Sequence, residues 1–183
     1  MPPLNETLRR QLLAAARSAI AGLLTGTPES ASVELPPDLP GSGVFVTLRK
    51  FGSLRGCIGT FLPHGSLLET LRSIAISAAR DPRFVQMPIS ANELKDITIE
   101  ISILSPLAPI ADPLALEVGV HGIYVRRGHQ SGCFLPDVAT ERGWTAQAFL
   151  ANCCEQKAGL DPNAWRSPGT EVFVFTVQKF CDS

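Results

Sequence analysis

The stretch Ile97–Leu104, Ile-Thr-Ile-Glu-Ile-Ser-Ile-Leu, constrains the fold more than any other part of the chain. Isoleucine stands at positions 97, 99, 101 and 103, with Thr98, Glu100 and Ser102 between them. Successive side chains of a strand point to opposite faces, so this segment has one apolar and one polar face. Such a strand belongs in an antiparallel sheet covered on one side, since parallel strands are covered on both faces and read as unbroken apolar runs. Further strands are expected at 44–50, 54–61, 122–127 and 172–177, the first two joined as a hairpin through Phe51-Gly52-Ser53.

Helices are expected where the apolar spacing changes to three and four residues. Over 5–24 the stripe is Leu8, Leu12, Leu13, Ala16, Ile20 and Leu23, stopped by Gly26 and Pro28. Ser66-Leu67-Leu68-Glu69 is a capping box that opens a helix running to about Arg80, with Leu67, Leu71, Ile74, Ala75 and Ala78 inward. Ser90-Ala91-Asn92-Glu93 opens a short helical turn in the same way. A last helix starts at Thr145, with Trp144 and Phe149 placed as a hydrophobic staple, and runs through Lys157 to Gly159. The prolines of 28–43 forbid regular structure, and 128–132 reads as a turn. Pro106, Pro109 and Pro113 form a stiff connector, a seam between two lobes near 105–120. Strands and helices do not alternate as βαβ units, so the fold class is α+β: a mainly antiparallel sheet flanked by helices.

The chain has 183 residues, 45% apolar and 18% charged, which suits a single domain with a substantial core. A formal net charge of −1 lacks the basic signature of a general nucleic-acid binder, leaving only local basic segments at Arg49, Lys50 and Arg55 and at Arg126 and Arg127. The five cysteines are odd in number and show no C-x-x-C, so reduced thiols in a cytoplasm are expected rather than a disulfide framework or a zinc site. The apolar stretch 12–24 is interrupted by Arg17 and is too short to span a bilayer, and it lacks a signal-peptide pattern. No cofactor and no metal is expected.

The most chemically suggestive segment is Leu54-Arg55-Gly56-Cys57-Ile58-Gly59-Thr60. Glycine weakens a strand and is kept where a bulge forms or where something approaches the backbone closely. By simple alternation Arg55, Cys57 and Gly59 share a face, with Arg55 and Cys57 roughly 7 Å apart along the strand. A guanidinium at that range favours thiolate over thiol, while apolar burial opposes it. The contrasting reading is a small buried cysteine that only packs.

This heptapeptide, preceded by Val-Phe-Val-Thr-Leu, resembles the signature of the AMMECR domain family, whose bacterial and archaeal members are called AmmeMemoRadiSam system protein A. The resemblance continues in order through Asp81-Pro82-Arg83-Phe84, the Ile99 to Pro106 stretch, His121-Gly122-Ile123, the Phe134 to Ala139 stretch and Lys157-Ala158-Gly159-Leu160. It implies an α+β domain in two lobes with the LRGCIG segment near the cleft. It also implies neighbours, a Memo-like protein and a radical S-adenosylmethionine enzyme. This chain is neither, lacking the clustered Cys-x3-Cys-x2-Cys of an iron–sulfur radical enzyme. Cys133 departs from the family's more usual threonine, and His64 matches no family histidine.

His121 is a candidate base for Cys57 if their strands are neighbours; otherwise it is a turn histidine bonded to backbone. Glu100 either lines the cleft or meets water, and Gly56, Gly59 and Thr60 would line the approach to the thiol. His64 and His129 read as loop and turn residues. Cys153 and Cys154 are adjacent on a helix, at least one of them in the core. Three functions fit these residues. The first is an enzyme, a cysteine-dependent transferase or hydrolase, with Cys57 as nucleophile or covalent carrier, Arg55 as its activating cation and His121 as base. The second is a non-catalytic module of a modification system, the glycines admitting a partner's chain. The third is nucleic-acid binding through the local basic segments. The substrate would be a small molecule or a protein, with no membrane involved.

Overall fold

A computed structural model describes residues 3–27, 43–61 and 65–182. The chain divides into two compact units, Met1–Leu104 with Gln178–Ser183, and Ser105–Val177. Each has its own antiparallel sheet and its own helices, so the α+β class holds. The loop expected over 28–43 lies almost wholly outside the described residues, as does His64.

In the first unit, α1 (Glu6–Thr25) is capped by the Asn5 side chain, which accepts from the amide of Leu8, and ends on Gly26 at φ 71°. The hairpin β1 (Gly43–Lys50) and β2 (Ser53–Thr60) is followed by α2 (Leu67–Ala79), whose Ser66/Glu69 capping box is fully formed. β3 is Ile97–Leu104, as the isoleucine pattern predicts. The strand order is β2-β1-β3 and then the C-terminal strand β8 (Val177–Cys181). Val44 faces Ile103, Val46 faces Ile101 and Leu48 faces Ile99 across β1 and β3. These side chains are fully buried against Leu12, Ala16 and Ile20 of α1 and Leu71, Ala75 and Ala78 of α2. The opposite face carries Phe45, Thr47, Glu100 and Thr98, as alternation requires, with Ser102 of the same face buried at 3% exposure opposite Phe45.

The second unit orders its strands β4-β7-β5-β6: β4 is Ala108–Pro109, β5 Gly122–Arg127, β6 Gln130–Phe134 and β7 Glu171–Phe175. Ile123, Val125 and Val172 pack on α4 (Ala146–Cys153) through Phe149, Leu150 and Cys153, with Phe134 stacked on Phe149 at 5.9 Å and edge-on to Trp144 at 5.7 Å. The segment read as a turn at 128–132 is largely strand β6, and the short helix α3 (Pro136–Arg142) had no counterpart in the sequence reading. The last helix continues past Cys153 as a π turn, Cys154–Ala158, before Gly159 caps it. The single strand expected over 172–177 is in fact two. It breaks at Thr176, where Ser105 and Thr176 exchange hydrogen bonds of 2.9 Å, Ser105 N–H to the Thr176 carbonyl and Thr176 N–H to Ser105 Oγ.

The burial contrast along β3 gives a direct check. Ile101→Ala should lower stability in urea unfolding by about 3 kcal/mol, from lost burial plus a cavity. Thr98→Ala, on the exposed face, should change it by under about 0.5 kcal/mol.

Candidate functional site

Cys57 lies on β2, the edge strand of the first sheet, half-buried. Its neighbour across the hairpin is Thr47, whose hydroxyl donates to the sulfur at 3.4 Å. The backbone of Cys57 faces outward, away from β1, and both its polar groups are taken. The N–H donates to Asp81 Oδ2 at 2.9 Å, and Arg83 Nη2 donates to the carbonyl at 2.8 Å. Asp81 and Arg83 therefore do for this edge what a further strand would do. They also make Cys57 and Thr47 a non-hydrogen-bonded pair, the register position at which facing side chains come closest.

The clamp is built by the turn that ends α2. Asp81 caps the short turn Pro82–Phe84, accepting from the Arg83 amide at 3.0 Å, and grips the Arg83 guanidinium through Nε at 3.0 Å and Nη2 at 2.6 Å. Asp81 is only 2% exposed. The Arg83 guanidinium first, then the amides of Cys57 and Arg83, hold its carboxyl far below the usual carboxylate range although burial pushes the other way. Arg83 is raised in turn, chiefly by its hydrogen bond to Asp81, with burial opposing and Cys57 adding to the rise.

The cation that meets Cys57 is thus Arg83 and not Arg55. Leu48 faces Gly56 while Arg49 faces Leu54, which leaves Arg55 as the extra residue of a β-bulge and breaks the alternation that would align it with the thiol. Arg55 instead donates to Glu93 Oε1 and to the Met87 carbonyl, each at 3.0 Å. Glu93 also takes Lys50 at 2.7 Å and reaches back to the Ser90 amide at 3.1 Å, and these donors, Lys50 foremost, hold its carboxyl well below the ordinary range.

Neither glycine leaves room for a visitor, contrary to the expectation that their bareness opens the site. A Cβ on Gly56 would lie 2.0 Å from the carbonyl oxygen of Ala78, and one on Gly59 would lie 2.1 Å from the ring of Phe45. Gly56 is there so that the C-terminal end of α2 can press on β2, and Gly59 so that Phe45, itself edge-on to Phe61 at 5.5 Å, can cover the strand. Thr60 is half-buried at the end of β2, opposite Val44.

Glu100 sits opposite Thr47 on the side away from Cys57 and pairs with Lys179 of β8 at 3.6 Å. Cys57, Thr47 and Glu100 therefore form a row across the polar face of the sheet. His121 belongs to the second unit, where its Nδ1 accepts from the Glu117 amide at 3.0 Å. Its strand β5 pairs with β6 and β7 while β2 pairs with β1, so the strand adjacency on which a Cys57–His121 pairing would rest is absent. Of the other thiols, burial pushes Cys133 up to about 11 and raises Cys153 and Cys154 as well, and both of the latter are core residues. Cys181 is exposed. The basic segments are largely engaged: Arg49 donates to the Gly52 carbonyl and Arg126 pairs with Glu171. Among the described residues no three His, Cys, Asp or Glu side chains are placed to hold a metal ion, and no helix is long and apolar enough to cross a membrane.

The family model AMMECR1 matches residues 13–180. The chain belongs to the AMMECR1 family. A protein of Methanothermobacter thermautotrophicus is 46% identical over 190 residues, covering 97% of this chain and 96% of its own length. One of Methanosarcina acetivorans is 40% identical over 188 residues, covering 97% and 92%. The crystal structure of protein PH0010 from Pyrococcus horikoshii superposes with a TM-score of 0.76 at 37% identity, covering 94% of this chain and 90% of that one.

Asp81 and Arg83 were legible only as a motif. Nothing local in the sequence shows that they close on a backbone 24 residues away. Because the Asp81 carboxyl is depressed in the folded state, its stabilisation is complete above the unfolded aspartate range near ~3.9 and is lost as pH falls through and below it. Asp81→Asn should lower stability at pH 7 by about 2 kcal/mol and flatten the fall between about pH 5 and pH 3, measured by urea unfolding across that range. Gly56→Ala should destabilise by about 2–3 kcal/mol in the same assay, because its obstacle is a helix carbonyl rather than a mobile side chain.

Proposed function

We propose that this AMMECR1-family protein is a cytoplasmic component of a modification pathway, acting with Memo-like and radical S-adenosylmethionine partners, and that Cys57 is its nucleophile or covalent carrier. The observation that carries this reading is a thiol that accepts from the Thr47 hydroxyl on a backbone pinned at both polar groups, the Arg83 guanidinium donating to its carbonyl and the Asp81 carboxylate accepting from its amide. Preorganised donors aimed at a reacting atom stabilise charge on it without reorganising during the reaction. The buried Asp81 tethers the largely exposed guanidinium of Arg83 by a paired contact, so this cation is positioned rather than free to swing.

The chemistry is that of a cysteine-dependent transferase or hydrolase. The thiolate attacks an electrophilic carbonyl carbon, a thioester forms as the leaving group departs, and water or a second substrate then takes the acyl group and restores the thiol. Glu100 and Lys179, further along the same polar face, supply a carboxylate and an ammonium with which a polar substrate can be oriented. His121 and Arg55 have no part in this arrangement. No observation favours nucleic-acid binding. The spaces at Gly56 and Gly59 are filled by the chain itself, so a partner's chain would not enter at these two glycines.

In a Cys181→Ser background, iodoacetamide at neutral pH should label Cys57 at least about tenfold faster than Cys133, Cys153 or Cys154, as read by mass spectrometry of the digested protein. Arg83→Gln should slow that labelling several-fold while Arg55→Gln leaves it nearly unchanged. Equal labelling of all four thiols, or a larger effect from Arg55 than from Arg83, would remove the nucleophile reading.

A further inference from the structure

The tip of the β1–β2 hairpin holds an aromatic ring where the backbone disfavours one. Phe51 has φ 49° and Gly52 has φ 81°, and they connect Lys50 directly to its partner Ser53. Two positive φ values in a two-residue connection mark a type I′ turn, whose first position is suited to Asn, Asp or Gly. A bulky residue there is a steric outlier, and among the described residues Phe51 is the one non-glycine residue at positive φ. Packing does not explain it. The ring is 83% exposed, and the Lys50 ammonium stands 5.9 Å from its centroid.

Two further apolar side chains stand out at the same end of the unit. Val85 is 69% exposed and Met87 57%, in the segment that follows the Asp81–Arg83 clamp. Arg55 ties this segment to the hairpin through the Met87 carbonyl, and Glu93 ties it again through Lys50 and Arg55. Beside Val85 lies a recess of about 170 Å³ lined by Ala79, Arg80, Asp81, Phe84, Val85 and Pro88.

The charge here is one-sided. Residues 49–55 and 79–93 carry five cations, Arg49, Lys50, Arg55, Arg80 and Arg83, against two carboxylates, Asp81 and Glu93, in a chain of formal net charge −1. Both carboxylates are engaged, Asp81 with Arg83 and the Cys57 amide, and Glu93, partly exposed, with Lys50 and Arg55. What faces outward is an aromatic ring, two exposed apolar side chains and arginines, a composition enriched at protein interfaces.

We propose that this end of the first unit is a docking surface for an acidic protein segment, with Phe51 as the anchor that enters the partner and the recess beside Val85 taking an apolar side chain from it. Positive charge selects acidic chains over basic ones. Val85 and Met87 favour protein over single-stranded nucleic acid, since neither offers a plane on which a base stacks. The left-handed backbone at Phe51 is explained by the same reading: the turn gives up local stability to hold the ring clear of its own sheet.

The test uses the full-length chain and a displayed random-peptide library. Selected peptides should combine acidic residues with a large apolar residue, and their affinity should fall at least about tenfold for Phe51→Asn. The same variant should melt no lower than the parent, because asparagine accepts positive φ readily. That pairing of lost binding with retained or raised stability is something a merely structural Phe51 would not produce. Arg80→Glu should weaken the peptides as well, and Cys57→Ser should leave them bound, so failure at the thiol and failure at this surface are told apart. The proposal is overturned if no peptide is enriched, if the enriched peptides are neutral or basic, or if Phe51→Asn binds them equally. It is overturned in favour of nucleic acid if polyuridylate, and no acidic peptide, binds the parent and is lost in Phe51→Asn.

Discussion

The carboxylate of Asp81 holds the candidate site together. It is buried, which by itself disfavours an ionised acid, and it stays charged because a guanidinium and two amides are fixed around it. One of those amides belongs to Cys57, so the group that neutralises Arg83 also anchors the edge strand. An open edge is a liability in any sheet, inviting pairing with another chain. Here it is closed at Cys57, whose amide and carbonyl are taken by Asp81 and Arg83. The same turn brings the end of α2 down on Gly56, and the thiol ends up beside Thr47 because the outward-facing backbone leaves the facing side chains close.

Much of the architecture could be read along the chain, and what could not has identifiable causes. The isoleucines of β3 reproduce their strand residue for residue, since burial on one face imposes a strict period. The capping residues Ser66 and Thr145 mark helix starts correctly, because capping is local. The break between β7 and β8 was invisible, as Val-Phe-Val-Phe-Thr-Val contains no turn residue; it is imposed by Ser105, 71 residues away. β6 was hidden by Gly132, which reads as a turn residue yet sits in a strand because a Cβ there would strike the backbone of Lys157 and Ala158. At the site, Cys57 was identifiable from its glycine neighbours, but the meaning given to those glycines was inverted. The bulge at Arg55 is set by pairing, not by composition, so the choice between Arg55 and Arg83 as the cation at the thiol required coordinates.

Family membership accounts for the fold across nearly the whole chain, and the Pyrococcus horikoshii structure shares it. Within that fold the two units are unequal in chemical character. The first carries a half-buried thiol that accepts from Thr47 on a backbone clamped by Asp81 and Arg83. The second buries its cysteines in hydrocarbon, where burial disfavours ionisation, and spends its aromatic residues on packing.

The return of the final strand to the first sheet has a consequence for how the molecule is made. β8 completes a layer whose other strands lie more than seventy residues earlier, so that layer remains unfinished until β8 itself has been made. Throughout elongation the bare flank of β3 is exposed, isoleucine-rich and unpaired, while the intervening segment is able to collapse first. Ribosome-bound chains arrested before Val177 are consequently the species most open to misassociation, and β8 acts as a latch on the first layer.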